Sequence, residues 1–501
     1  MLWRFRMEKL TIDQRKMIGF QFLIENMTAI TVYGADEIKK VHPYSRNNKQ
    51  KLELEFHEIE KLVQQLEKEK KAIAKIELVL MFVKEIRGSL KNATRTTLND
   101  VELFELKNFL IQIEKLIPLF SELNQLMGLE TIKFEEIKQP LDILDPDKKR
   151  ITSFYLSEKY SDKLKEIREQ KKVIEVSLRQ ELAKEKKTEL LLLRRTIVSA
   201  EADIEQEIRR KITSDLFPFI GQIEKNVKAT GRLDFLIQKA KLALKFKGIK
   251  PSITDTKLMM DNVVNPQIQE YLKAKGGEFT PISIAMEEGV TVLTGANMGG
   301  KSVALQTIML NLYLAQCGFF AYGEEVFFPI VDYLVIISEE YQSVKDGLSS
   351  FGGEIVKLKD SLTKMESGFG LLVMDELARG TNPDEGAAIV RGLVRHLNQR
   401  PMLTLLATHY DHIAEYGNAH YQVYGLKDMD IGKIQQEIDT LGEGRGLELI
   451  GKCMNYGIYL VTEPQNCPKD ALNVCRLLGL QENVMDLIEE SNFCKIEMHV
   501  D

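Results

Sequence analysis

The chain has 501 residues, with 68 Lys and Arg against 74 Asp and Glu and a net charge of −6. This length exceeds one compact core and predicts two or three domains. Its five cysteines show no C-x-x-C spacing, which argues against a disulfide framework or a zinc site. Because no run of about 18 apolar residues occurs, we expect a cytoplasmic protein with no membrane partner.

Charge is divided unevenly along the chain. Residues 1–290 hold 52 Lys and Arg against 45 Asp and Glu, whereas residues 291–501 hold 16 against 29. A basic excess suits a polyanion such as DNA, but spread-out lysines also suit an ordinary solvated surface. The sequence contains no dense basic patch of the kind that dominates nucleic acid affinity.

The first half of the chain is predicted to be helical. Within residues 51–87, apolar residues recur at three- and four-residue steps: Leu52, Phe56, Ile59, Leu62, Val63 and Leu66. A second stripe runs through a Glu- and Lys-rich stretch without Pro or Gly, with Tyr160, Leu164, Ile167, Ile174, Leu178 and Leu182. We therefore expect an all-α core over residues 1–245, with long coiled-coil-like helical arms at about 150–217.

The pattern changes near residues 245–256, where Gly and Pro interrupt the helical run. Beyond this point, β-rich segments alternate with helical ones: GVTVLTG (289–295), YLVII (333–337), GLLVMDE (370–376) and MLTLLATH (402–409). Apolar strands that alternate with helices predict an α/β domain with a parallel-rich sheet. We assign residues 246–490 to this domain and residues 491–501 to a tail.

A phosphate-binding loop follows the first of these strands. Residues 295–302, GANMGGKS, match G-x-x-x-x-G-K-[ST] in full. In such a loop, backbone N–H groups face the phosphates, Lys301 reaches the β- and γ-phosphates, and Ser302 ligates Mg²⁺. The predicted nucleotide-binding residues are Gly295, Ala296, Asn297, Met298, Gly299, Gly300, Lys301, Ser302 and Val303.

Two later strands end in residues suited to phosphoryl transfer. LLVMDE ends in Asp375 and Glu376, which predicts Asp375 as a second Mg²⁺ ligand and Glu376 as the group that orients the attacking water. A further strand ends in His409, which we place near the γ-phosphate. Acidic strand ends are common in proteins, so this interpretation depends on the phosphate loop that precedes them.

The segment GLSSFGGEIVKLKDSL (347–362) predicts a helix that Ser349 and Ser350 open, with Glu354 in its first turns. Together with TGANMGGKS, MDELARGTNPDEG and ATHYDH, in their order along the chain, it resembles the MutS family of ATPases, whose signature loop has the form S-[ST]-F-x-x-E. The resemblance implies an ABC-type P-loop NTPase fold, with ATP and Mg²⁺ as cofactors. It also implies a homodimer in which Ser349 takes part in catalysis at the nucleotide of the opposite subunit.

The similarity extends to residues 462–490, which resemble the family's C-terminal helix-turn-helix dimerisation element. Three small departures, Ala296 for the usual Pro, Val303 for the usual Thr and Ala378 for the usual Gly, are expected to leave ATP binding intact. TNPDEGAAI is closer to the second MutS subfamily. The residues before the phosphate loop are too few for the mismatch-reading and connector domains, so we expect those domains to be lacking.

The motifs leave the client of the ATPase open. One hypothesis is that a dimer couples ATP hydrolysis to structure-specific DNA binding through phosphate contacts. The alternative is an ATP-dependent remodelling factor, since the chain also resembles the MutS-like component proposed to reactivate a cobalamin-dependent aminomutase. A structural coiled-coil ATPase of the wider ABC type is less consistent with SSFGGE. We take DNA as the main hypothesis and a protein client as the alternative.

Overall fold

A computed structural model describes residues 10–151, 155–295, 300–338, 350–365, 368–425 and 455–462, with a few more between 475 and 488. The chain divides into two compact units. One, the helical unit, comprises Thr28–Val41 and Glu58–Lys241; the other, the sheet unit, comprises Met1–Met27, His42–His57 and Leu242–Asp501. Two N-terminal segments therefore belong to the sheet unit. The predicted helix-turn-helix at 462–490 lies largely outside the described residues.

The described residues up to 245 form helices and the segments that connect them. The helices are α1 (Ile12–Met17), α2 (Phe20–Glu25), α3 (Val32–Lys39), α4 (Lys49–Lys68), α5 (Lys70–Leu80), α6 (Arg87–Ala93), α7 (Asp100–Met127), α8 (Lys138–Leu144), α9 (Asp162–Gln180), α10 (Lys184–Leu216) and α11 (Ile220–Lys245). The apolar stripe predicted on α4 is buried except at Val63, which is partly exposed, and Leu52, Ile59 and Leu62 are fully inaccessible to solvent. Helix α7 starts at a capping box between Asn99 and Glu102.

Helices α9 and α10 form an antiparallel pair joined by residues 181–183. Arg168 on α9 bonds Glu201 and Glu205 on α10 at 3.0 and 2.8 Å, and Arg194 on α10 bonds Glu175 at 2.9 Å. Leu164, Ile174 and Ile197 are buried. The predicted stripe was wrong at its last residue, because Leu182 lies in the connection and is 96% exposed. The coiled-coil character of this pair stays a prediction.

The described residues after 245 form two mixed sheets with flanking helices. The elements are β1 (Ser252–Thr254), β2 (Leu258–Val263), α12 (Pro266–Ala274), β3 (Ile282–Met286), β4 (Gly289–Thr294), α13 (Lys301–Gln316), β5 (Glu325–Pro329), β6 (Tyr333–Ile337), α14 (Ser350–Met365), β7 (Gly370–Asp375), α15 (Pro383–Leu397), β8 (Leu403–Thr408), β9 (Ala419–Gly425) and β10 (Asn455–Leu460). The smaller sheet has the order β1-β5-β2-β3 and the larger has the order β10-β9-β4-β8-β7-β6.

In the larger sheet, all neighbours from β9 to β6 pair in parallel, and β10 adds an antiparallel edge. Every residue of β4 and β8 is buried, which explains their nearly continuous apolar sequences. Helices α14 and α15 cover one face, where Leu358 and Val390 join a core with Leu372 and Leu406. Among the described helices, none has both the length and the apolarity that crossing a membrane requires.

Candidate nucleotide site

The parallel sheet brings three predicted site segments to one edge. In the register of β4, β8 and β7, Thr294 lies opposite Thr408, and Asp375 lies opposite Ala407. The phosphate loop, the Asp375–Glu376 pair and His409 therefore follow directly from neighbouring strand ends. This carboxyl edge is where ligands bind in open α/β sheets.

Glycine is needed at both described ends of the phosphate loop. Gly295 has φ +153°, and a Cβ there would lie 1.9 Å from Val423 Cγ2. Gly300 has φ +95°, and a Cβ there would lie 2.6 Å from Tyr456 Cδ1. Helix α13 begins at the next residue, and Val303 lies in its first turn. The remaining predicted loop residues, Ala296, Asn297, Met298 and Gly299, lie outside the described part of the chain.

Lys301 joins the loop to the end of β7. Its side chain is 4% exposed, and its Nζ donates to Gly295 O at 2.7 Å and lies 3.1 Å from Glu376 Oε1. The other carboxylate oxygen of Glu376 lies 3.1 Å from Arg379 Nη1. Glu376 is thus held between two cations, and Arg379 is a contact that our sequence reasoning missed although MDELARG contains it.

Ser302 and Asp375 bring two oxygens together beside this pair. Ser302 Oγ donates to Asp375 Oδ2 at 2.7 Å. A hydroxyl and a carboxylate are hard oxygen ligands of the kind that Mg²⁺ takes, together with phosphate oxygens and water. Among the described residues, no cluster of three or more His, Cys, Asp or Glu could hold a metal. The donor set therefore fits a Mg²⁺ that arrives with a phosphorylated substrate.

His409 follows the last residue of β8, near enough to Glu376 for the charge of that carboxylate to affect its pKa. Burial lowers the pKa of His409, Lys301 lowers it further, and the charge of Glu376 raises it in part. The ring is therefore neutral near pH 7. Its Nδ1 is buried and accepts no hydrogen bond from any described residue. A neutral imidazole with a spare nitrogen can bond a water or a phosphate oxygen.

The turn after β7 has a strained backbone. Glu376 and Ala378 have φ of +52° and +66°, a region that costs an L-residue other than glycine about 1–2 kcal/mol. Three hydrogen bonds fix the turn: Glu376 N–H donates to Ala407 O at 3.0 Å, Ala378 N–H donates to Glu354 Oε2 at 2.9 Å, and the Tyr410 hydroxyl donates to Ala378 O at 2.8 Å. The sequence placed Glu354 in its helix but did not reveal these contacts.

Ser349, the last predicted catalytic residue, lies outside the described residues. The structure describes the backbone of helix α14 from Ser350 onward. The catalytic role of Ser349 therefore stays a prediction.

Comparison with known proteins finds a family match for the region that contains the site. Residues 291–477, which span the phosphate loop, Glu376 and His409, match the family described as MutS domain V. Residues 291–477 thus carry the sequence of a MutS domain V. This finding confirms the resemblance that the four motifs indicated.

Curated MutS relatives are similar to part of this chain. "Endonuclease MutS2" of Halothermothrix orenii is 28% identical over 250 residues, which cover 47% of this chain and 29% of the relative. "Endonuclease MutS2" of Shouchella clausii is 26% identical over 303 residues, covering 59% and 35%. "DNA mismatch repair protein MutS" of Aquifex pyrophilus is 26% identical over 304 residues, covering 59% and 33%. The chain thus spans about a third of the length of these curated relatives.

Proposed function

We propose that this MutS-family chain binds and hydrolyses Mg·ATP as a homodimer and couples hydrolysis to DNA binding. One observation carries the ATPase part of the proposal. Lys301, Ser302, Asp375 and Glu376, from two different strand–helix units, converge within hydrogen-bond distance at the carboxyl edge of the sheet. These are the residue types that phosphoryl transfer requires, because its catalysis rests on positioning and on charge stabilisation.

Lys301 is the residue on which substrate binding depends. In the structure, its charge is paired with Glu376, and its Nζ also donates a hydrogen bond to Gly295 O. A β- or γ-phosphate offers this buried ammonium a stronger, doubly charged partner. We propose that Lys301 exchanges its contact with Glu376 for the phosphates. Glu376 is then released at the moment when the substrate is in place.

Glu376, once released, orients the attacking water and accepts its proton. Arg379 remains beside the carboxylate and limits the directions in which it can turn. Neutral His409 bonds the water or a γ-phosphate oxygen through its unused nitrogen. Ser302 and Asp375 hold Mg²⁺, which neutralises phosphate charge when bound. His409 and Glu376 thus divide the positioning of the water between two strand ends.

The homodimer part of the proposal rests on the family resemblance of the signature loop. If Ser349 completes the opposite subunit's site, Ser349→Ala and Glu376→Ala chains should each be nearly inactive alone and should recover activity when mixed. Both lesions then fall at one site of the heterodimer, which leaves the other site intact. Free exchange gives about half heterodimers, so about a quarter of wild-type turnover returns if the sites act independently.

A mixture shown to contain heterodimers that stays inactive would contradict independent sites in trans. Full activity of Ser349→Ala alone would remove Ser349 from the site.

The DNA part rests on the names of the relatives and on the basic excess of residues 1–290. The test compares ATP hydrolysis and DNA binding by the full chain with duplex, branched and single-stranded DNA at ~50 and ~200 mM salt, a range over which phosphate-driven binding weakens steeply. We expect DNA to change the ATPase rate at low salt and to lose this effect at high salt.

A protein client keeps support from one observation in the helical unit. Arg168 and Arg194 are paired with glutamates of the same helix pair, so their charge is balanced within the chain. If DNA neither binds nor alters ATPase activity at ~50 mM salt, where phosphate contacts are strongest, the remodelling alternative, such as reactivation of a cobalamin-dependent aminomutase, replaces the DNA proposal.

A further inference from the structure

We propose that Glu354 and Tyr410 are positioning residues that hold Glu376 in its hydrolytic orientation by clamping the peptide groups of Ala378. This role rests on the proposed ATPase function. Neither side chain needs to touch the nucleotide. Both act through the backbone of the turn that carries the carboxylate.

The clamp grips Ala378 from both sides. Its N–H donates to Glu354 Oε2 at 2.9 Å, and its C=O accepts from the Tyr410 hydroxyl at 2.8 Å. Glu354 comes from helix α14 and Tyr410 from the segment after β8, so two separate elements fix one residue. Both side chains are almost completely buried, at 2% and 7% exposure. Bonds in such an environment are strong, and a missing partner is costly.

The turn needs such a clamp because Ala378 stands where the backbone favours glycine. Its φ is +66°, and that of Glu376 is +52°. An alanine freed from its two partners would relax toward negative φ. Leu377, between these two residues, is buried at 1% exposure. Because its packed side chain holds it in place, a rotation of the backbone at Ala378 changes the orientation of Glu376.

The surroundings are shaped around the Tyr410 hydroxyl. A Cβ at Gly386, in the first turn of α15, would lie 2.3 Å from this hydroxyl oxygen. The Tyr410 backbone is also fixed, because its N–H donates to Thr408 Oγ1 at 3.1 Å. Burial and the charges of Glu354 and Glu376 raise the pKa of Tyr410, so its hydroxyl stays protonated and able to donate.

The first test measures ATP affinity and turnover for Tyr410→Phe and Glu354→Gln in the full chain. We expect kcat to fall about tenfold in Tyr410→Phe, as for the loss of one buried bond, and by less in Glu354→Gln, whose amide oxygen can still accept the Ala378 N–H. The dissociation constant for ATP should stay within about twofold of wild type in both. Glu354→Ala, which leaves the N–H without an acceptor, should lose more.

Matched controls come from the helical unit. Tyr160 donates its hydroxyl to Ile143 O at 2.7 Å, and buried Glu58 accepts the N–H groups of Glu130 and Thr131 at 2.8 Å. Tyr160→Phe removes the same kind of hydroxyl bond as Tyr410→Phe, and Glu58→Ala removes the same kind of carboxylate acceptor as Glu354→Ala. Both should leave kcat unchanged. Thermal unfolding of every variant shows whether each remains folded.

The decisive readout is a double-mutant cycle with Ala378→Gly, because glycine adopts positive φ without strain. In the Ala378→Gly chain, Tyr410→Phe should lower kcat only about twofold, instead of about tenfold in the native background. Equal losses in both backgrounds would overturn the clamp, as would a folded Tyr410→Phe chain with wild-type kcat. A wild-type chain that neither binds nor hydrolyses ATP would instead overturn the proposed function, and with it this role.

Discussion

The two units use pairs of opposite charges for different purposes. In the helical unit, Arg168 bonds Glu201 and Glu205 across two helices, and each charge meets its partner on the neighbouring helix. In the sheet unit, Lys301 and Arg379 both lie against Glu376 at a strand end, where a phosphate could displace one of them. The first arrangement is complete without a ligand. The second can exchange a partner, which is what a binding site requires.

The comparison also explains why the basic excess of residues 1–290 does not by itself indicate DNA binding. Some lysines and arginines of the helical unit lie beside carboxylates of the same unit, as Lys107 does with Asp145 at 3.0 Å. Net charge already subtracts the partner carboxylates, but it does not show whether the remaining cations lie together on one surface. Only a binding measurement at controlled salt decides the client.

The largest effect that would sharpen this contrast is expected at Lys301. Lys301→Ala removes the side-chain charge that we assign to ground-state phosphate binding, so ATP affinity should fall at least about a hundredfold. Calorimetric titration of the full chain with Mg·ATP measures it. Equal affinities for wild type and variant would refute the assignment of the loop.

The next effect concerns the metal. Asp375→Asn and Ser302→Ala each remove one oxygen from the pair that faces the loop, and we expect the Mg²⁺ concentration for half-maximal ATPase activity to rise about tenfold. Titration of Mg²⁺ at saturating ATP measures the shift. An unchanged requirement would place the metal elsewhere.

The helical unit should respond to loss of charge in its stability instead. Arg168→Met leaves Glu201, whose side chain is 10% exposed, with Lys171 alone, and we expect a loss of about 2–3 kcal/mol in the free energy of unfolding. The matched control is Arg194→Met, whose partner Glu175 is 36% exposed, with an expected cost of about 0.5 kcal/mol. Urea unfolding measures both, and ATP affinity should not change in either. Equal losses of unfolding free energy in the two variants would contradict our claim that the more buried ion pair contributes more to stability.

The smallest effect is expected from pH. Burial is the main cause that lowers the pKa of His409 and of His420, which bonds Thr294 at 2.7 Å. Because these two imidazoles bind protons less readily in the folded chain, the unfolded chain binds more protons near and below the ordinary histidine pKa of about 6.5. Stability therefore falls as the pH drops through that value. The melting temperature should fall less between about pH 7.5 and 5.5 in a His409→Gln, His420→Gln chain than in wild type. The same fall in both would show that other groups are responsible.

The sequence predicted the elements of the site better than the contacts between them. The apolar runs that end in Thr294, Asp375 and Thr408 can be recognised in the sequence. The parallel arrangement of these strands follows from the helices between them. The strain at Ala378 is not visible, because alanine carries no preference for positive φ, and its two partners are distant in sequence. Leu182 misled the prediction because an apolar spacing can continue into a connection where no partner helix remains.

The central claim is that the strand-end residues form a site that hydrolyses Mg·ATP with Glu376 as the group that orients water. It is tested most directly by measuring ATP binding and phosphate release together in Glu376→Ala. We predict a dissociation constant within about threefold of wild type and a turnover lowered at least about a hundredfold, because Glu376 is needed only when water attacks. Turnover close to that of wild type would contradict the account.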